Sequence, residues 1–196
     1  YKNDVAVNFV GADSLSGLVG DASVNVVLST EGASQSVSYT FTDVAGNSET
    51  FTVSGLKLDK TAPTITGSRT PGANNFGWNN VDVTVSFDTS DGLSGLDPAT
   101  VPGDVVVSTE AAGQFVTRTV YDLAGNTASA TVSDISIDKT APTITTIIDG
   151  SIYYLGQSVT PSSATDSLSG VASVTGTIDT STVGTKFLTV TAIDNA

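Results

Sequence analysis

The chain has 196 residues, 39% of them hydrophobic, and carries 20 acidic against seven basic side chains for a net charge of −13. That apolar fraction suffices for packed cores and argues against wholesale disorder, while the negative charge repels phosphate backbones and disfavours a nucleic-acid partner. With no cysteine and no histidine, disulfides, thiolate chemistry and the usual general bases drop out. No run approaches the roughly 18 apolar residues of a spanning helix, so membrane insertion is not expected.

Valine, threonine and serine dominate, and 19 glycines stand against six prolines. β-Branched side chains suit a pleated surface, so the composition favours strands joined by tight turns. The acids are lopsided: Glu31, Glu49 and Glu110 are the three glutamates, and the other seventeen are aspartates. Short carboxylates belong in turns and coordinating loops.

In chain order, Val5-Ala-Val-Asn-Phe9 alternates apolar and polar residues and predicts a first strand. Asp13-Ser-Leu-Ser-Gly-Leu18 follows as a loop phrase, and Val37–Phe41 predicts the next strand. It runs into Asp43-Val-Ala-Gly-Asn47, a hairpin turn with Gly46 supplying a positive φ, and then into a strand over Thr50–Val53. Leu58-Asp-Lys-Thr-Ala-Pro-Thr-Ile-Thr66 is a junction, stiffened by Pro63 and the extended bias it imposes on Ala62.

The series then repeats. Thr64–Arg69 predicts an opening strand and Val81–Phe87 the counterpart of Val5–Phe9. Asp91-Gly-Leu-Ser-Gly-Leu96, a strand over Phe115–Tyr121, Asp122-Leu-Ala-Gly-Asn126 turning at Gly125, and a strand over Ala128–Val132 come next. Ile137–Thr145 restates the junction with Pro142, Asp166-Ser-Leu-Ser-Gly-Val171 restates the loop, and Asp194-Asn-Ala196 is a clipped third turn. A period of about 79 residues fits one small sandwich domain and is too long for a solenoid repeat or propeller blade. Three units are therefore expected: 1–59 lacking its first strand, 60–138 complete, and 139–196 lacking its last. Tyr1 aligns with Trp78 in mid-repeat, no leader is legible ahead of it, and the sequence reads as a piece of a longer protein.

The hairpin phrase and the junction phrase together resemble the bacterial immunoglobulin-like repeats of large cell-surface and adhesin proteins. In those repeats, an aromatic-x-x-Asp-x-Ala-Gly-Asn strand end precedes a Val-Asp-x-Thr-Ala-Pro-x-Ile junction. The resemblance covers essentially the whole chain. It implies an all-β fold of tandem immunoglobulin-like β-sandwiches arranged end to end, and a role in extension, display or adhesion outside the cell. Fold likeness does not supply a ligand.

In such a sandwich the loop after the second strand and the turn before the last share one pole, and the preceding linker enters there. Asp59, Asp91 and Asp122 with the amide oxygen of Asn126 would converge at the first junction, and Asp138, Asp166 and Asp194 with Asn195 would make the equivalent set at the second. Asp13, Asp43 and Asn47 would line the pole of the first unit. Calcium takes six to eight oxygen ligands, so it is the candidate ion. Turn aspartates also bond their own backbone amides without any metal, and Lys60 and Lys139 stand beside the linker aspartates as neutralising charges.

The expected role is a structural spacer, stalk or assembly segment of an extracellular adhesin, surface-layer or filament protein, and not an enzyme. Its partners would be neighbouring domains or copies, with strand complementation at the incomplete end units, or a surface glycan or protein ligand. The alternative is a carbohydrate-binding or accessory module of a secreted polysaccharide-degrading enzyme. Trp78, Tyr153 and Tyr154 are the aromatics such a site would use, although a strand-opening core role for Trp78 is favoured by its repeated place.

Overall fold

A computed structural model describes residues 1–144, 152, 154–157, 163–187 and 189–196. Tyr153 and Thr145, the last residue of the second junction phrase, lie outside the described residues. The fold is all-β: thirteen strands, and no helix among the described residues. Among the described residues no helix is long and apolar enough to cross a membrane.

The first repeat contributes β1 (Val5–Val10), β2 (Ser23–Leu28), β3 (Gly32–Thr42) and β4 (Ser48–Leu58). β1 and β2 pair antiparallel, with Val5 opposite Leu28 and Phe9 opposite Val24. β3 and β4, 11 residues each, form an antiparallel hairpin in which Val37 faces Val53 and Tyr39 faces Phe51. Both strands outrun the sequence expectation, because the register continues beyond the strictly alternating stretch, through irregularities near Gln35. Gly46 closes the hairpin at φ 95° as anticipated.

The second repeat adds β5 (Thr64–Thr70), β6 (Val83–Ser90), β7 (Val105–Val107), β8 (Ala111–Tyr121) and β9 (Thr127–Ile137). β5, β6 and β7 make one three-stranded sheet, with β6 central, and β8 pairs with β9. β6 starts at Val83 instead of Val81, which is 49% exposed. Beyond these, β10 (Thr143–Ile144) pairs with β11 (Ala164–Thr165), and β12 (Val171–Thr175) with β13 (Thr191–Asp194).

Contacts divide the chain into two compact units. One comprises 1–66, 87–103 and 118–130; the other comprises 67–86, 104–117 and 131–196. The division passes through β5, β6, β8 and β9 and not through the repeat junctions at 59/60 and 138/139. The first unit is built on Phe9, Leu28, Val37, Phe41 and Leu58, with Tyr39 and Leu56 against them. Tyr39 meets Phe41 edge-on at 4.9 Å, an arrangement that adds to area burial. Gly11 lets the Phe41 ring lie close: a Cβ there would sit 2.8 Å from it. The second unit buries Val83, Val85, Val116, Ile135 and Ile137, four of them fully.

The repeat correspondence can be fixed by hydrogen bonds. Asp59 N donates to Tyr1 O and the Tyr1 amine to Lys57 O, just as Asp138 N donates to Asn79 O and Asn79 N to Ser136 O. Tyr1 therefore matches Asn79 and not Trp78. Tyr1 is 66% exposed and caps no core.

Leu58 is 1% exposed, whereas Leu15 is 96% exposed. Leu58→Ala is expected to cost about 2–5 kcal/mol in urea denaturation. Leu15→Ala should stay within about 0.5 kcal/mol of the parent.

Candidate metal centres

Two groups of three carboxylates form, one in each unit: Asp59 with Asp91 and Asp122, and Asp138 with Asp166 and Asp194. In each group one oxygen per residue lies within 4.8 Å of the others. Each draws its members from three places. The linker aspartate follows the last strand of one repeat, the second opens the Leu-Ser-Gly loop of the next repeat, and the third stands at the end of a later strand, Asp122 just after β8 and Asp194 as the last residue of β13.

Backbone amides position every carboxylate. Asp59 Oδ1 accepts from Thr61 N at 3.1 Å, and its Oδ2 accepts from Ser94 N at 2.8 Å, in the loop that opens with Asp91. Asp91 Oδ1 accepts from Leu93 N and, at 2.6 Å, from Gly95 N. Asp122 Oδ1 accepts from Asn126 N at 2.8 Å. The second group repeats the plan: Asp138 accepts from Thr140 N and Ser169 N, and Asp166 from Leu168 N and Gly170 N. Asp194 accepts from Ala196 N. The described donors to Asp91 and Asp166 all go to Oδ1, so Oδ2 of each keeps its lone pairs.

These amides keep the linker carboxylates ionised despite burial. Asp59 and Asp138 are 3% and 1% exposed. Burial pushes the Asp59 carboxyl upward, but the hydroxyl and amide of Ser94 and the Thr61 amide outweigh it, leaving it below its ordinary value. The Ser94 Oγ is shielded from solvent and makes no hydrogen bond of regular geometry, so its help is a dipole's. Burial likewise raises Asp138, and the hydroxyl and amide of Ser169 with the Thr140 amide override it.

The asparagines do a different job from the one expected of them. Asn126 turns its amide nitrogen to Asp59 O at 2.9 Å, Thr61 O at 3.2 Å and Asp122 Oδ2 at 2.7 Å. All three neighbours are acceptors, which fixes the orientation, so Asn126 ties the linker to the turn and offers no oxygen to the carboxylates. Asn195 occupies the place of Leu123: its backbone N–H bonds Gly170 O as that of Leu123 bonds Gly95 O. Its side-chain nitrogen bonds Ser169 O and Gly170 O.

The lysines also point elsewhere. Lys60 Nζ bonds Asp4 Oδ1 at 2.9 Å and Ser29 O at 2.6 Å, while Thr61 Oγ1 bonds Glu31. Lys139 Nζ bonds Asp82 Oδ1 and Ser108 O, both at 2.8 Å, while Thr140 Oγ1 bonds Glu110. Each Lys-Thr pair thus clasps the linker to the repeat behind it, and neither ammonium neutralises the linker aspartate.

Asp13, Asp43 and Asn47 stand at the matching pole of the first repeat without joining a three-carboxylate group. Asp13 Oδ2 accepts from Ser16 N and Gly17 N, and Asp43 from Asn47 N and Nδ2. The Gly17 amide is the main influence lowering Asp13, and the Asn47 side chain the main one lowering Asp43. Of the aromatics, Trp78 is half-buried and Tyr154 is 84% exposed. Ser94 and Ser169 were overlooked in the sequence, although each is the fourth residue of a repeated Asp-x-Leu-Ser-Gly phrase. No protein-family model, curated protein or solved structure matches the chain.

A carboxylate lowered in the folded state adds stability above its unfolded pKa and loses it as pH falls through the folded one. In chelator-containing buffer the urea midpoint should hold from pH 7 to about 5 and drop below about pH 4. Asp43→Asn should show a smaller acid loss over the same range. Equal losses in both proteins would remove Asp43 from the account.

Proposed function

We propose that the chain is a spacer segment of an extracellular surface protein, built from tandem immunoglobulin-like β-sandwiches whose junctions are fastened by calcium. The observation that carries this reading is the pair of three-aspartate groups at equivalent places. Each combines one carboxylate from a linker with two from the following repeat's loops.

The physics favours a cation. Three unit charges within 4.8 Å repel by on the order of 3 kcal/mol per pair at an effective dielectric of about 20. The nearest linker ammonium is engaged with Asp4 or Asp82. Two oxygens bound to one calcium at roughly 2.3–2.6 Å lie no more than about 5 Å apart, and the observed spread fits within that. Carbonyl oxygens and water would complete the six to eight ligands, and oxygen donors alone suit a hard ion. A bound ion would hold linker and loops as one body, whereas the Lys-Thr clasp already holds the linker from behind. Repetition of one site along the chain suits a mechanical role better than catalysis.

The resemblance to bacterial immunoglobulin-like surface repeats supports the same setting. Partners on this reading are adjacent domains or neighbouring copies. The alternative, an accessory carbohydrate-binding module, needs an exposed aromatic platform, and Trp78 is half-buried.

Titration calorimetry of the chelator-treated chain should resolve two calcium sites. Asp59→Asn should abolish one site and Asp138→Asn the other. Calcium at 100 times its Kd should add about 2.7 kcal/mol per site to unfolding. Absence of heat, with melting indifferent to chelator, would refute the calcium junction.

A further inference from the structure

The phrase Asp-x-Leu-Ser-Gly occurs three times, and in each loop the opening aspartate accepts from the amide of the closing glycine. Gly17, Gly95 and Gly170 donate to Asp13, Asp91 and Asp166 at 2.6, 2.6 and 2.7 Å. One backbone frame therefore carries Ser16, Ser94 and Ser169 at the same place. Their hydroxyls do not behave alike. Ser16 Oγ donates to Asp13 Oδ2 at 3.1 Å and Ser169 Oγ to Asp166 Oδ1 at 3.4 Å, each turned back on the carboxylate that opens its own loop. Ser94 Oγ makes no such bond.

That difference is costly where it stands. Ser94 Oγ is shielded from solvent, and a buried hydroxyl without a partner gives up its hydration for nothing. Such a group in a native fold calls for an explanation. The linker does not impose it. Ser169 bonds a linker aspartate through its amide, as Ser94 does, and still turns its hydroxyl back to Asp166.

The surroundings say what the hydroxyl lacks. Ser94 N donates to Asp59 Oδ2 at 2.8 Å, which sets the residue against the linker carboxylate. The Ser94 O–H dipole helps to hold the Asp59 carboxyl below its ordinary value, so the hydrogen serves Asp59 and the lone pairs of Oγ are left over. Lone pairs need a donor or a cation. Asp59, Asp91 and Asp122, gathered within 4.8 Å, are acceptors only, and the Lys60 ammonium is engaged with Asp4 and Ser29.

We infer that Ser94 Oγ is a direct ligand of the cation at the first junction, giving its hydrogen to Asp59 and a lone pair to the ion. At the second junction Ser169 spends its hydroxyl on Asp166, and water takes the corresponding place on the ion. The inference rests on the calcium reading and deepens it. Two sites alike in their carboxylates differ in the neutral oxygen that joins them.

The full chain carrying Asp138→Asn leaves the first site to be read alone. In calcium calorimetry Ser94→Ala should weaken binding about tenfold, while Ser94→Thr, which keeps the hydroxyl, should stay within about threefold of the parent. Europium, an ion of calcium-like size, reports its own bound waters through luminescence lifetimes in H2O and D2O. Ser94→Ala should add about one water to it, and Ser169→Ala in the Asp59→Asn chain should add none. In chelator the urea midpoint of Ser94→Ala should stay close to the parent's, because losing the dipole at Asp59 is offset by removing a stranded hydroxyl. The proposal is overturned if Ser94→Ala binds calcium like the parent or gains no water. It is also overturned if the substitution costs the same stability with and without calcium, which would make the hydroxyl part of the fold. Calcium heat in the parent with unchanged binding in Ser94→Ala refutes the serine alone, whereas a parent without calcium heat refutes the junction and the serine together.

Discussion

Burying an ionised carboxylate costs several kcal/mol unless donors meet it, and this chain does it at each repeat junction. Asp59 and Asp138 are almost wholly buried and stay ionised because each receives two backbone amides. One amide belongs to the linker and one to a loop 31 or 35 residues further on. The carboxylate is thus the part that makes the linker's path and the loop's position depend on one another. Replacing it by an apolar group would leave two buried N–H groups without acceptors.

The linker is held from the other side as well. Lys60 and Thr61 grip Asp4, Ser29 and Glu31, and Lys139 and Thr140 grip Asp82, Ser108 and Glu110. The ion pairs are between a third and a half exposed, so each contributes little by itself. Their effect is geometric: they draw the ammonium away from the aspartates. The carboxylate groups then keep their full negative charge, which is what a divalent cation requires.

Seen this way, the two kinds of junction chemistry divide the labour within one short phrase. Asp of Asp-Lys-Thr-Ala-Pro faces the following repeat, Lys-Thr faces the preceding one, and Pro restricts what lies between. Asn126 adds a third tie, joining two linker carbonyls to the Asp122 turn. The first repeat carries the same Asp-x-Leu-Ser-Gly and Asp-x-Ala-Gly-Asn phrases, and their carboxylates are satisfied within their own loops.

Strand content, the hairpin glycines and the two aspartate groups were legible in the sequence, because alternation, positive-φ turns and a 79-residue period are local or repetitive signals. The convergence of Asp59, Asp91 and Asp122 was expected from the sandwich that the family resemblance implies, in which those loops share one pole. What lay beyond the sequence was which atom each polar side chain presents. Lys60 adjoins Asp59 in the chain yet pairs with Asp4, and Asn126 spends its nitrogen where an oxygen was expected. The one-residue difference between matching Tyr1 to Trp78 and to Asn79 is fixed by the backbone hydrogen bonds that Tyr1 and Asn79 make to their junction strands. Such choices depend on competition among partners distant in sequence and close in space, and only the folded chain settles which donor reaches which acceptor.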